Sequence, residues 1–464
     1  MRLALNACLL IAAITPAASS AEAEIYDQAD RLELFVDRQR IEKLDGVALR
    51  LHEPKRMETV IKFDDPWDGK FAGYVTVFSD GDRFRMYYRG WDNAPGAPQV
   101  ACYAESSDGI RFTKPKLGLF EFQGSKDNNI VLTSAPKDGT HNFTPFKDTR
   151  PGVPSDEQYK AVGGGPLMAY ASADGIHWRT LSDKPVMTKG AFDSQNLAFW
   201  DPNRKQYVCY YRIFTNKVRA IAYATSDDFR TWSDPTPIDL GDTPAEHFYT
   251  NATTCYFRAP HYYFAFPKRF APGRKILDEH KEKGISEGVF MSSRDGHHFD
   301  RTFMEAFIRP GREELNWGDR STMPVWGILQ TAPDEMSIYF SQHYRYPSHH
   351  LKRGVVRLDG IASAHAPYEG GELVTRPLRF AGDKLVLNYA TSAVGSVKIE
   401  IQDAEGKPIK GYTLADAQEL YGDQIAGAYA WKHGTDVGQL AGKPVKLRLV
   451  MKDADVYSYR FTNE

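Results

Sequence analysis

Four carboxylates stand where their surroundings would let them move protons. Asp193 follows Phe192 and precedes the polar string Ser194-Gln195-Asn196, directly ahead of an apolar strand-like run. Glu246 lies close to Phe248 and Tyr249, aromatic neighbours that would desolvate a carboxyl group and raise its pKa. Asp68 sits beside Trp67, and Glu287 lies in Ile285-Ser286-Glu287-Gly288. Cleaving a glycosidic bond usually takes two such groups, one donating a proton and one acting as base or nucleophile. Asp193 is the first choice for the catalytic carboxylate, Asp68 the candidate base or nucleophile, Glu246 the preferred acid and Glu287 the competing acid. Each has a structural alternative: an Asx turn explains Asp193, and loop exposure explains Glu246.

Other residues would bind a substrate rather than react with it. Arg89, Arg212 and Arg320 sit in or beside aromatic runs, where a guanidinium can fork onto a carboxylate or onto hydroxyls. Trp67 and Trp317 offer flat faces for a sugar ring, although packing accounts for them equally well. His141 and Asn142, then Asn196, then Tyr249 and Asn251, and finally Asp319 each precede a strand-like run. His297-His298 and His349-His350 would point to opposite faces of a strand, so the chain offers no metal-ligand spacing and no cofactor motif. Once Cys8 is removed with the leader, Cys102, Cys209 and Cys255 remain, each ahead of a tyrosine and best read as buried, unpaired residues.

The elements that position these groups are announced by a repeat. Ser106-Ser107-Asp108-Gly109-Ile110-Arg111-Phe112 returns as Ser172-Ala173-Asp174-Gly175-Ile176-His177-Trp178. Weaker copies centre on Asp227 and Asp295, and a degenerate fifth on Asp359. Asp-Gly suits a tight turn because both residues tolerate positive φ. The interval between copies accommodates four strands with loops, which is one propeller blade. The reading is therefore an all-β chain: a five-bladed β-propeller over residues 24–367, followed by a C-terminal β-sandwich over 368–464 that opens after Glu369-Gly370-Gly371. Leu32 to Asp37 and Val47 to His52 are the segments expected to close the ring. In such a ring the starts of the innermost strands converge on the channel mouth, which is where the polar residues above fall.

Residues 1–23 read as a signal peptide, with Arg2, an apolar run too short to span a bilayer and small residues ahead of cleavage near Ala21 or Ala23. The expected location is periplasmic or secreted. A formal net charge of −2 argues against nucleic acid as a partner. Aromatic residues make up 13% of the chain, enough to line a sugar site, and the expected partner is a carbohydrate.

The chain resembles the five-bladed propeller glycoside hydrolases of families 32, 43 and 68. It is more closely similar to a group of exported bacterial proteins described as glycosyl hydrolases. The likeness is carried by Leu34-Phe35-Val36-Asp37, Met86-Tyr87-Tyr88-Arg89-Gly90 and Gly190-Ala191-Phe192-Asp193-Ser194-Gln195-Asn196. It continues through Tyr249-Thr250-Asn251, Ser293-Arg294-Asp295-Gly296 and Asp453-Ala454-Asp455-Val456-Tyr457-Ser458. The Trp-Met-Asn-Asp-Pro-Asn-Gly and Glu-Cys motifs of those families are missing, and Asp64-Asp65-Pro66-Trp67-Asp68-Gly69 stands in the first blade instead. The resemblance implies hydrolysis of a glycosidic bond in an oligo- or polysaccharide, with furanosides favoured. Two alternatives stay open. One is a polysaccharide lyase in which His141 or Tyr249 is the base and Arg320 and Asn251 neutralise a uronate. The other is a sugar-binding propeller without catalysis.

Overall fold

The computed structural model describes residues 25–133, 139–279 and 283–463. The signal peptide expected over residues 1–23 lies outside them. Among the described residues the regular elements are strands and three short 3₁₀ turns, with no α-helix and so no helix long and apolar enough to cross a membrane.

The middle of the chain is built from five antiparallel units of four strands. The first comprises Gly73–Asp80, Arg83–Gly90, Val100–Ser106 and Ile130–Thr133. The second comprises Thr144–Lys147, Tyr159–Gly164, Leu167–Ser172 and Arg179–Thr180, and the third Leu197–Asp201, Gln206–Thr215, Val218–Ser226 and Thr236–Pro237. The fourth comprises Thr254–Tyr256, Ala259–Ala265, Met291–Ser293 and Phe299–Asp300, with the hairpin Lys268–Ala271 and Ile285–Gly288 inserted. The fifth takes Pro324–Ala332, Glu335–Gln342 and His350–Arg357, and borrows Lys55–Lys62 from the start of the described chain. It also joins the first unit through a parallel pairing of Trp326 with Thr76.

The segments expected to close a ring do something else. Glu33–Leu34 pairs with the long strand Val445–Thr462, and Ala48–Leu51 pairs with Ala362–Ala366. They join a ten-stranded sheet with the C-terminal strands, over a core that packs Phe35, Ile41 and Val47 with Leu373, Ile399 and Trp431. Lys55–Lys62 instead pairs with His350–Arg357 as the fourth strand of the fifth unit. Its alternation is weak, with exposed Glu58 and Thr59 beside buried Val60 and Ile61, so the sequence signal was poorer.

The repeat is a turn with one wiring. Ser106 Oγ accepts from the N–H of Gly109 at 3.0 Å, while Asp108 Oδ1 accepts from those of Ile110 and Arg111 at 2.7 and 2.9 Å. Ser172 and Asp174 repeat this pattern, as do Ser226 and Asp228, and Ser293 and Asp295. The third copy therefore centres on Asp228 rather than Asp227, whose carboxylate accepts from the side chain of Gln206. The residue after the aspartate is left-handed in every case: φ is 72° at Gly109, 77° at Gly175 and 69° at Gly296. In the third copy Phe229 adopts 63° and buries its ring, so the sequence lacks the glycine that would mark the register.

These turns also tie neighbours together. Tyr87 of the first unit donates to Gly175 O of the second, Tyr210 of the third to Gly296 O of the fourth, and Tyr339 of the fifth to Gly109 O of the first. Asp359 receives Tyr256 and Arg258 of the fourth unit instead. A cavity of about 630 Å³ is bordered by the first strands of all five units, each contributing an aromatic ring: Phe78, Phe146, Phe199, Tyr256 and Trp326. The three cysteines are free; Cys102 and Cys209 are buried, and Cys255 is half-buried on the wall of this cavity.

The turn wiring predicts a contrast between adjacent aspartates. Asp228→Ala should cost about 1 kcal/mol in urea denaturation at neutral pH, the net worth of an ordinary hydrogen bond at a solvent-exposed turn, while Asp227→Ala should change stability by less than about 0.5 kcal/mol. Burial pushes the Asp228 carboxyl up, but the N–H groups of Thr231 and Arg230 outweigh it and hold the pKa below the ordinary 3.8. A depressed folded pKa means that the stabilisation is present above 3.8 and lost as pH falls through the folded value. The gap between the two variants should therefore close in acid.

Candidate functional site

The first strands of the units begin near one another, and polar side chains fasten those beginnings. Asn142 donates to Ser194 O at 2.7 Å, Gln195 to Val75 O at 2.8 Å, and Ser194 Oγ at 2.5 Å to Tyr249 O. Asn196 donates to Phe192 O and Ser194 O, and Asn251 to Tyr210 O. Several of these starts force a side-chain-bearing residue into the left-handed region: Tyr74 at 51°, Asn142 at 54°, Ala252 at 43° and Arg320 at 65°. Backbone strain of this kind persists only where its surroundings fix it, and it concentrates at functional sites.

Charged and aromatic groups gather over this platform. Arg89, buried, donates to Asn142 Oδ1 at 3.0 Å and to Phe71 O, and lies 4.6 Å from the centre of the Tyr74 ring. Arg320 donates to Tyr344 Oη at 2.9 Å and Tyr249 Oη at 3.3 Å, with its Nε 3.2 Å from Asp319. Arg212 sits 4.7 Å from the Tyr249 ring centre, and Lys268 Nζ 3.8 Å from it. Lys268 also pairs with Asp319 at 2.7 Å. Burial raises the Asp319 carboxyl, but Lys268 and Arg320 more than offset this and hold it at about 2. Burial in turn pulls Lys268 down to about 7 despite Asp319, and Arg320 and Arg219 add to the fall.

Asp193 lies at the open side of this cluster, with its side chain 68% exposed and Oδ1 3.3 Å from His141 Nε2. His141 lowers the Asp193 carboxyl to about 2, against burial, and Arg212 and Arg320 contribute. With Asp193 ionised, His141 Nε2 must carry the proton they share. His141 Nδ1 is 3.1 Å from Gln99 Oε1, which fixes the ring.

The cluster thus unites Asp193, His141, Arg89, Asn142, Arg212, Tyr249, Asp319 and Arg320, while Asn196 and Asn251 serve the platform beneath. Other sequence candidates lie apart. Asp68 is fully buried in the first unit, bonded to Tyr88 Oη at 2.8 Å and Lys114 Nζ at 2.6 Å. Lys114 also reaches Asp65 at 2.8 Å and Asp64 at 3.7 Å, so an ammonium already neutralises the one group of carboxylates with metal-like spacing among the described residues. Trp67 donates to Asn129 Oδ1 and meets the edge of Phe122, so it packs within the same unit.

Glu246 and Glu287 share Arg269, at 2.7 Å each, beneath Trp317 in a separate cavity of about 410 Å³. Alternation along Lys268–Ala271 explains the separation: Lys268 and Phe270 face the Tyr249 cluster, and Arg269 faces the glutamates. Glu246 also meets buried Arg301 at 2.9 Å. Its two oxygens are thus taken by guanidiniums, not enclosed by Phe248 and Tyr249, which leaves it ill suited to deliver a proton to a substrate held by Asp193.

Tyr74, Lys268 and Tyr344 were not legible as site residues. Tyr74 reads as an ordinary strand aromatic, though its place directly after Gly73 was a usable signal. Lys268 arrives on the inserted hairpin, away from the beginnings of the first strands.

No protein-family model and no curated protein matches the sequence. Among solved structures, the chain is similar to one described as a glycoside hydrolase, at 12% identity over 66% of this chain and 92% of that one, with a TM-score of 0.47. It is similar to an N-acetylgalactosamine deacetylase from F. plautii in complex with blood group B trisaccharide, at 11% identity over 68% and 96%, with a TM-score of 0.43. It is also similar to an α-L-arabinofuranosidase from Fusarium graminearum in complex with an iminosugar inhibitor, at 11% identity over 66% and 99%, with a TM-score of 0.41.

The paired glutamates yield a stability prediction. Glu246→Gln should cost about 2 kcal/mol or more in chemical denaturation, because it strips a carboxylate from a guanidinium that has left water. A loss below about 0.5 kcal/mol, the range of neutral surface changes, would show that Glu246 is free of that structural duty.

Proposed function

We propose that the chain is a carbohydrate-active enzyme that cleaves a glycosidic bond, with Asp193 and His141 as its proton-handling pair. The five units are taken as blades of a five-bladed propeller that Lys55–Lys62 closes, and the ten-stranded sheet as a β-sandwich beside it. A cavity bordered by the first strands of all five units supports that arrangement. The observation that carries the function is the Asp193–His141 contact at 3.3 Å, at the open side of a cluster of arginines and tyrosines. The apolar leader before Ala23 in the sequence supports a periplasmic or secreted location.

In hydrolysis the bond from the anomeric carbon to the leaving oxygen breaks, a proton goes to that oxygen, and water supplies the hydroxyl. An ionised, accessible Asp193, its carboxylate held by the N–H of His141, is suited to take the proton of that water, and solvent at the open side supplies the proton of the leaving oxygen. No second carboxylate stands free beside Asp193 among the described residues, since Asp319 is engaged by Lys268. That fact favours a second reading, β-elimination, in which Tyr249 as its phenolate takes the proton beside a uronate carboxylate, a carbon–carbon double bond forms, and the leaving oxygen departs with that proton. The charge of the phenolate would face Arg320 at 3.3 Å.

Screening oligo- and polysaccharides, with reducing ends and ultraviolet absorbance both recorded, separates the readings: both rise in elimination, and only reducing ends in hydrolysis. Asp193→Asn should cut turnover at least about a hundredfold without lowering the thermal midpoint. Turnover at the wild-type rate would remove Asp193 from the mechanism.

A further inference from the structure

We infer that the sugar bound at this cluster carries an anionic group, a carboxylate or a sulfate ester, which Arg212 receives with Arg89 and Arg320 beside it. The inference rests on the cluster being the site of cleavage and names its substrate class.

The buried arginines show why. Among the described residues four are buried: Arg89, Arg212, Arg301 and Arg353. Two follow the usual rule that a guanidinium leaving water meets a carboxylate. Arg301 meets Glu246, and Arg353 meets Glu335 at 2.9 Å and Glu58 at 3.2 Å. The two without a carboxylate partner, Arg89 and Arg212, both stand at the cluster. Arg89 donates only to neutral oxygens, those of Phe71 and Asn142. Arg212 commits its Nε to Ala191 O at 3.2 Å, and the rest of its fork has no protein acceptor among the described residues.

Charge in the cluster points the same way. Arg89, Arg212, Arg219, Lys268 and Arg320 face two carboxylates: Asp319, shared by Lys268 and Arg320, and Asp193, which leans on His141. Aromatic faces hold the guanidiniums in place: Arg212 stands 5.3 Å from the Phe214 ring centre and 4.7 Å from that of Tyr249, and Arg219 5.2 Å from Tyr249. A neutral sugar would leave this surplus unanswered, whereas an anion would meet a preorganised fork of the kind that binds carboxylates and oxyanions in two-point contact.

The test is calorimetric titration of the full chain, using Asp193→Asn to prevent turnover. The probes are tetrasaccharides of polygalacturonate, alginate and chondroitin 4-sulfate, with arabinan and galactan tetrasaccharides as neutral members. At least one anionic probe should bind at least about tenfold more tightly than either neutral one, and added salt should weaken it. Arg212→Gln should weaken that probe roughly ten- to hundredfold, and Arg212→Lys should restore part of the loss. Preference for uronate over sulfate, or the reverse, identifies the anion. Neutral probes binding as well as every anionic one would overturn the inference, as would an Arg212→Gln protein of unchanged thermal midpoint that holds the anionic probe as before. Failure of the cleavage reading is distinct: it would show as full turnover by Asp193→Asn, whatever that protein binds.

Discussion

Side chains satisfy the backbone carbonyls at and beside the strand beginnings, and everything else at this site depends on those bonds. A buried carbonyl left unbonded costs about 1–3 kcal/mol, more than a made bond contributes. Here amides and a hydroxyl do the work: Asn142 and Asn196 on Ser194 O, Gln195 on Val75 O, Ser194 on Tyr249 O and Asn251 on Tyr210 O. These bonds connect the first four units, and Arg320, through Tyr249, connects the fifth. The platform is therefore polar, buried and rigid, and the groups above it are placed before any ligand arrives.

The same rigidity accounts for the charge above the platform. Tyr74 and Arg320 are held in left-handed backbone that neither residue prefers. Rings of Tyr74, Tyr249 and Tyr344 hold the guanidiniums by their faces, leaving their edges to donate. On the other face of Lys268–Ala271 the chain handles charge in the opposite manner, closing Arg269 and Arg301 onto two glutamates. One hairpin thus divides a structural ion network from an unsatisfied one, by nothing more than the alternation of side chains along a strand.

The repeat was legible because its turn demands particular atoms: a hydroxyl, a carboxylate and a residue that accepts positive φ. It misled where Phe229 replaces glycine and Asp227 sits beside the working Asp228, and at Asp359, whose carboxylate receives Tyr256 and Arg258 instead. The strand that completes the fifth unit was missed because Lys55–Lys62 alternates poorly, while Glu33–Leu34 and Ala48–Leu51 looked more strand-like and went to the other sheet. At the site, residues ahead of first strands were readable from polarity alone, which located His141, Asn142, Asp193, Tyr249, Asp319 and Arg320. Partner choice was not readable. Sequence could not show that Lys114 would occupy Asp68, or that Arg269 would take Glu246 and Glu287, because those contacts join segments distant along the chain.

The most direct measurement is a crystal structure of the Asp193→Asn protein with a bound anionic oligosaccharide. The account predicts the anionic group within hydrogen-bonding distance of Arg212, with a glycosidic oxygen facing His141 and position 193. Sugar seated instead against Trp317, Glu246 and Glu287, with the Arg212 fork still empty, would contradict it.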